Sequence, residues 1–384
     1  MKITTARRAL IAAIAVAAFA LSSCTEGPAG IFASIASETP TNENMTKAIK
    51  DSSQSFVVRL GSTYYAGIGT LWKKADGATQ WTPADTSGVS SSTVFAGSAA
   101  VIGTDMYVAF FDSDTGDGLG VWSTTNGTVW APVDPAFPAA GRDLSSILAA
   151  NGNLFAVTAN TRTLTTDIAN YSFHHLNVAT FEDTNIIAST SVGVPTSVAF
   201  GGGTFWLTAG DVILSGTATN LSPTTEPPTG AAYSGVCAYG TDVIISNRNG
   251  YLYYYNGGTW ITAGPFADSN GDAYSLSTPT YVDDGTNQVL VVGTNSIPGS
   301  SSTPPVDGYL EFAMPFTAGM EPTVDHGIIS NANNFDTSLT GRSVSAMPLF
   351  DLGGGDFRLF ALTNGYGLWS NTYNGAEWEL WVRE

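Results

Sequence analysis

Positive charge is what this chain has least of. Its 14 Lys and Arg face 32 Asp and Glu, a net charge of −18, and charged residues of both signs make up only 12% of the 384 positions. So acidic a surface repels phosphate backbones and anionic headgroups, which argues against nucleic acid as a partner. Cysteine is nearly absent: Cys24 and Cys237 cannot supply a disulfide framework. Three histidines, His174, His175 and His326, are too few and too poorly spaced for a zinc site, which takes about three or four His, Cys or carboxylate ligands. No Gly-x-Ser-x-Gly nucleophile turn and no phosphate-binding loop occur. Helical periodicity is missing from Gln54 onward. The apolar run from Ala9 to Leu21 is 13 residues long, against the roughly 20 that a helix needs to cross a hydrocarbon core.

That run follows a positive stretch at Lys2, Arg7 and Arg8 and ends in Leu21-Ser22-Ser23-Cys24, so residues 1–23 read as a signal peptide. The tetrad resembles the lipobox of bacterial lipoproteins, in which the Cys thiol is diacylated before cleavage. The resemblance implies export, a palmitate-type anchor on Cys24 and membrane attachment in the cell envelope. Thr25 stands where an Asp would favour inner-membrane retention, which points to the outer membrane. Two or three acyl chains hold stably, at about 0.8 kcal/mol per buried CH₂. Loss of residues 1–23 removes three basic and no acidic residues, leaving 11 against 32, a balance of −21. Residues 24–53 lack periodicity and are rich in Ser, Thr, Glu, Asn and Pro, the composition of a tether, with one helical turn expected near Met45 to Lys50.

Residues 54–384 alternate short β-branched and aromatic runs with Gly, Asn, Asp and Ser clusters, the pattern of an all-β domain. One element recurs as an aromatic strand, a turn and a Trp. Leu71-Trp72 leads through Asp76-Gly77 to Trp81, and Val121-Trp122 through Asn126-Gly127 to Trp130. Leu252-Tyr253 leads through Asn256-Gly257 to Trp260, and Leu368-Trp369 through Asn374-Gly375 to Trp378. Asn-Gly and Asp-Gly suit two-residue hairpins in which both central residues have φ > 0. A second element, a Gly turn before a hydrophobic strand, starts at Gly61, Gly103, Gly152, Gly202, Gly240, Gly285 and Gly354. Both imply seven units of about 40–50 residues, the period of a β-propeller with four-stranded blades. The blades are expected near 54–88, 89–138, 139–190, 191–228, 229–268, 269–338 and 339–384, the third, fourth and sixth without the Trp hairpin.

The hairpins resemble those of Asp-box (BNR-type) propellers, a group that includes sialidases and many non-enzymatic sensors and scaffolds. Their motif reads Ser-x-Asp-x-Gly-x-Thr-Trp. Ser123-Thr-Thr-Asn-Gly127-Thr-Val-Trp130 keeps the Ser, Gly and Trp but has Thr125 for the Asp. Lys74-Ala-Asp76-Gly-Ala-Thr-Gln-Trp81 keeps the Asp and Trp, and Tyr253-Tyr-Tyr-Asn-Gly257-Gly-Thr259-Trp260 the second half only. The likeness concerns the fold, because the Asp box is a structural turn. A sialidase would also need three converging arginines, a Tyr–Glu pair and an acid Asp. Of the arginines beyond the signal, Arg59 is followed by Leu60-Gly61 rather than Ile-Pro, and Phe357-Arg358-Leu359 does not supply that motif either.

Two acidic loops, Asp112-Ser-Asp114-Thr-Gly-Asp117 and Asp268-Ser-Asn270-Gly-Asp272, space oxygen side chains as a calcium loop does. Asp112, Asp114, Asp117, Asp268, Asn270 and Asp272 are therefore candidate metal ligands. The adjacent His174 and His175 are expected to be exposed, Cys237 to be a small core residue, and Tyr251, Tyr253, Tyr254 and Tyr255 with Trp260 to pack between blades, a sugar-stacking or peptide-binding platform being the alternative. With no reactive set visible, the expectation is a membrane-anchored, monomeric, non-catalytic binding or scaffold propeller that meets a protein or glycan. A degenerate sialidase-like glycan hydrolase is the alternative.

Overall fold

The computed structural model describes residues 53–89, 93–160, 171–184, 193–224, 227, 232–268, 271–295, 308–323, 329, 339 and 341–384. Within them the chain forms seven antiparallel sheets arranged in a ring, a seven-bladed β-propeller without helices. Each set of strands lies inside one of the seven intervals read from the repeat. In blades 1 to 5 the strands follow chain order from the axis outward. The inner strands are Phe56–Leu60, Val94–Ile102, Arg142–Ala150, Pro195–Gly201 and Tyr233–Tyr239.

Blades 6 and 7 depart from this plan at a proline. Their inner strands are each split, into Ser275–Leu276 and Thr280–Asp283 and into Val344–Ala346 and Leu349–Gly353. Pro279 and Pro348 fall in the two breaks. Proline has no N–H to give to a ladder, and at these two positions the pairing is broken. Blade 6 therefore reaches four strand segments with two halves of one strand, and beyond its Tyr309–Ala313 strand the Thr323 N–H bonds Glu311 O at 2.7 Å.

The apolar core is not central. It is divided into seven layers, one between each pair of neighbouring blades. The second strands explain why. Thr63–Ile68 sends Tyr64, Ala66 and Ile68 towards blade 7 and Tyr65 towards blade 2, and the strand is buried on both sides. Period-2 alternation of a wholly apolar strand demands a neighbour on each face. Near the axis, hydroxyls link consecutive blades. Ser55 Oγ donates to Ala96 O (3.0 Å), Ser98 Oγ accepts from Ile147 N (2.8 Å), Ser246 Oγ donates to Ser277 O (2.7 Å) and Thr280 Oγ1 to Met347 O (2.8 Å).

The ring closes through side chains. Thr363 N–H donates to Gln54 Oε1 (3.0 Å), and Tyr64 stacks edge-on against Phe350 and Phe360. Glu384, buried beside blade 7, accepts Trp81 Nε1 of blade 1 at 3.0 Å and pairs with Lys74.

The hairpin tryptophans occupy equivalent places and reach back to the preceding blade. Trp81 bonds Glu384 as above, Trp130 Nε1 donates to Asp85 O (2.8 Å), and Trp378 Nε1 donates to Asp284 Oδ2 (3.1 Å). All three are buried. Trp260 differs from the other three: it is half-buried and meets Trp206 of blade 4 edge to face at 6.2 Å.

The turns also differ from expectation. Only the glycine of each Asn-Gly or Asp-Gly pair has positive φ, as in Gly127 at 70°. The preceding Asn closes the turn with its side chain instead. Asn126 Oδ1 accepts the N–H groups of Thr128 and Val129, both at 2.9 Å, and Asn374 Oδ1 those of Ala376 and Glu377, both at 3.1 Å. An oxygen that holds two backbone donors removes the need for a second left-handed residue.

Truncating a buried Trp costs about 3–5 kcal/mol, a large part of a domain's stability. Trp81→Ala, Trp130→Ala and Trp378→Ala should each lower the melting temperature markedly, and Trp260→Ala less. Equal losses at all four positions, measured by thermal denaturation, would contradict this ranking.

Candidate functional site

Between blades 4 and 5, where the turns after their inner strands meet, lies a cleft of about 310 Å³. Two glycines permit the contact. A Cβ at Gly201 would lie 2.6 Å from Asp242 O, and one at Gly202 2.8 Å from Thr241 O. Trp206 and Tyr255 form the aromatic wall, and Thr204, Ser215, Thr241 and Asp242 supply polar groups. The Trp206 and Tyr255 rings are 5.0 Å apart and inclined at 54°, and Trp260 backs them, 4.9 Å from Tyr255. Asp242 is fixed in place: its Oδ1 accepts Thr241 Oγ1 at 3.3 Å and its Oδ2 accepts the Tyr254 hydroxyl. Burial and this carboxylate raise the Tyr254 phenol to about 12, so it remains a donor.

The tyrosine run thus has two fates. Tyr253 is fully buried and its hydroxyl accepts Asn247 Nδ2 at 2.8 Å, and Tyr254 stacks on Phe316. Tyr255 lines the cleft. Its signal in the sequence was the Tyr255…Trp260 pair, but its partner Trp206 comes from another blade.

The first acidic loop, between the strands Asp105–Asp112 and Gly118–Thr124, is a tight hairpin. Asp112 Oδ1 accepts Asp114 N (2.9 Å) and Thr115 N (3.1 Å), Asp114 Oδ2 accepts Thr93 Oγ1 (3.3 Å), and Asp117 N–H donates to Thr115 Oγ1 (3.2 Å). Asp268 Oδ1 accepts Asp272 N at 2.9 Å. Among the described residues no three His, Cys, Asp or Glu side chains gather as a metal site. Asn270, like Cys24, Arg162 and His326, lies outside the described residues.

The histidine pair is not exposed, contrary to expectation. His174 is buried on the third strand of blade 3, Tyr171–Asn177, in a line of hydrogen bonds across all four strands. Arg142 Nε donates to Thr158 Oγ1 (2.8 Å), Thr158 Oγ1 lies 2.7 Å from His174 Nε2, and His174 Nδ1 lies 2.5 Å from Asp183 Oδ1. The order hydroxyl, imidazole, carboxylate is that of an activated nucleophile. Thr158 is fully buried within its blade, however, and its oxygen receives the guanidinium, so no substrate meets it. His175 bonds Asn153 and packs on Phe155. Both were missed because adjacent residues on a strand face opposite sides, and here both sides are covered. Burial lowers the pKa of each; for His174 it outweighs the raising effect of Asp183. Cys237 retains partial exposure, but burial of its thiol raises the pKa to about 12, which leaves it protonated and unreactive.

Nor do the arginines converge on a sialidase set among the described residues. Arg59 and Arg358 both cover the ring of Tyr64, 5.8 and 5.4 Å from its centroid. Tyr64 is fully buried, and burial raises its phenol to about 12, the opposite of what a nucleophile requires. Arg142 serves Thr158, and Arg342 stacks on Tyr366 and Trp369. Three buried acids that the sequence does not single out do structural work. Glu384 and Asp284 receive tryptophans, and Glu311 holds Thr323 Oγ1 (2.8 Å) and Ile329 N (3.0 Å). Burial raises the Asp284 pKa, but the N–H groups of Asn287 and Thr286, the Asn287 side chain and Trp378 together hold it below its ordinary value.

These features define the protein as a seven-bladed propeller with a polar interblade cleft. No family model matches the sequence, and no curated protein is significantly similar to it. Solved propellers share the fold. YCF48 from Cyanidioschyzon merolae is 11% identical with a TM-score of 0.52, covering 83% of this chain and 95% of that one. The WD40 propeller domain of Doa1 is 10% identical with a TM-score of 0.50, covering 87% and 94%. An ancestral GH74 enzyme is 13% identical with a TM-score of 0.61, covering 88% of this chain; the match spans about half of that enzyme, 47%.

A neutral buried histidine stabilises above its unfolded pKa, near 6.5, and that stability is lost as pH falls through the lower folded value, because the unfolded chain takes up the proton first. The melting temperature should therefore fall as the pH drops below about 6.5, and His174→Gln should flatten that slope. An unchanged slope in the variant would show that His174 is not the titrating group.

Proposed function

We propose that this protein is a lipid-anchored, non-catalytic binding or scaffold propeller of the bacterial cell envelope. The observation that carries the reading is how the described residues with reactive potential are used. Thr158, His174, Cys237, Tyr64 and the paired arginines are committed to packing and internal hydrogen bonds, while the cleft between blades 4 and 5 stays open. A ring with rigid blades and an accessible polar cleft is suited to holding a partner, protein or glycan, rather than to transforming one. The propeller neighbours support the scaffold architecture, and the GH74 enzyme among them is the ground for keeping a hydrolase as the second reading.

Anchoring rests on the lipobox-like Leu21-Ser22-Ser23-Cys24, and Thr25 favours the outer membrane. Two or three acyl chains would keep the acidic domain at the membrane despite its repulsion from anionic lipid. Cys24→Ser should abolish incorporation of radiolabelled palmitate and release the protein from membranes. Label retained on the variant would refute the anchor.

Binding is tested with the full-length chain in detergent, immobilised and exposed to solubilised envelope. Specific capture of an envelope component is expected, together with no turnover of a panel of methylumbelliferyl glycosides. Release of methylumbelliferone above background would overturn the non-catalytic reading.

A further inference from the structure

We infer that the cleft between blades 4 and 5 receives a single neutral sugar ring, such as the terminal residue of an envelope glycan. The inference rests on the binding reading above and supplies its ligand class. Charge narrows the choice first. No Lys, Arg or His lines the cleft, and Asp242 does, in a chain of net charge −18. Phosphates, uronic acids and sialic acid would meet repulsion with no cationic partner.

Polarity narrows it further. Thr204, Ser215, Thr241 and Asp242 present hydroxyl and carboxylate groups to the space. An apolar ligand would desolvate these groups without pairing them, at a cost, whereas a polyol matches them donor for acceptor. The aromatic wall gives the other half of the recognition. A pyranose has one face of C–H groups, and the half-buried Tyr255 ring, with the largely buried Trp206 inclined beside it and Trp260 behind, offers an apolar surface for it. A quaternary ammonium would also be drawn to aromatic rings and a carboxylate, but it has no groups to bond the hydroxyls of Thr204, Ser215, Thr224 and Thr241.

The volume of about 310 Å³ lies at the lower end for small-molecule sites and suits one ring rather than a buried chain. The site is also pre-formed. Gly201 and Gly202 bring the two blades into backbone contact, and Asp242 is held by Thr241 and Tyr254, so little ordering is required on binding.

The test is calorimetric and fluorescence titration of the full-length chain in a sugar-free detergent. The probes are D-glucose, D-galactose, N-acetyl-D-glucosamine and tetramethylammonium chloride. Saturable binding of at least one sugar with a millimolar Kd is expected, with a change in tryptophan emission. Ser215→Tyr, which fills the cleft, and Tyr255→Ala, which removes half the wall, should each weaken it by at least about tenfold while retaining a cooperative melt. The inference is overturned if no sugar saturates by about 50 mM, if tetramethylammonium alone binds, or if both folded variants bind sugar like the parent. Flat sugar titrations with envelope capture intact would remove the ligand assignment and leave the binding reading standing. Loss of both would remove the reading beneath it.

Discussion

A four-stranded sheet with apolar side chains on both faces cannot bury either face by itself, and every blade here is in that position. Seven such sheets satisfy one another only if each has two neighbours, which forces a closed ring. The seven interblade layers are the result, and each depends on the next. The layer between blades 7 and 1 carries the greatest burden, because it joins distant parts of the chain through Tyr64, Trp81, Phe360 and Leu362. Fully burying one large apolar side chain is worth about 1.5–3 kcal/mol, so opening that layer would expose two blade faces at once.

Polar groups inside the ring serve the same geometry. Trp81, Trp130 and Trp378 each insert a large ring between blades and must also satisfy an indole N–H, and the preceding blade provides the acceptor each time. Two of those acceptors are buried carboxylates, Glu384 and Asp284. A charge is tolerated there because it gathers several donors: Glu384 takes Trp81, Lys74 and Ser370. The Arg142–Thr158–His174–Asp183 line binds the four strands of blade 3 in a comparable way.

Against this uniform packing, the interface of blades 4 and 5 differs. Its outer aromatic group is built from Trp206, Tyr255 and Trp260, two of them only half-buried, and next to it the glycine turns leave a polar hollow. Function in this architecture would reside where packing is incomplete, and the remaining rigid blades would hold that place in shape.

The sequence by itself determined the all-β class, the number of repeats and the position of the tryptophan hairpins. All three follow from local rules: period-2 alternation, turn residues and spacing along the chain. It also misassigned what depends on three dimensions. His174 and His175 read as exposed because two polar neighbours on a strand ordinarily reach water, yet Phe137 of blade 2 packs on His174, and Phe155 and Asn153 partly cover His175. Asp284, Glu311 and Glu384 look like ordinary surface acids until a tryptophan or a backbone N–H from elsewhere meets them. The cleft was legible only on the side of Tyr255 and Trp260, which lie within one repeat. Trp206 and Tyr255 are 49 positions apart, and only the stacking of one blade on the next decides that they share a wall.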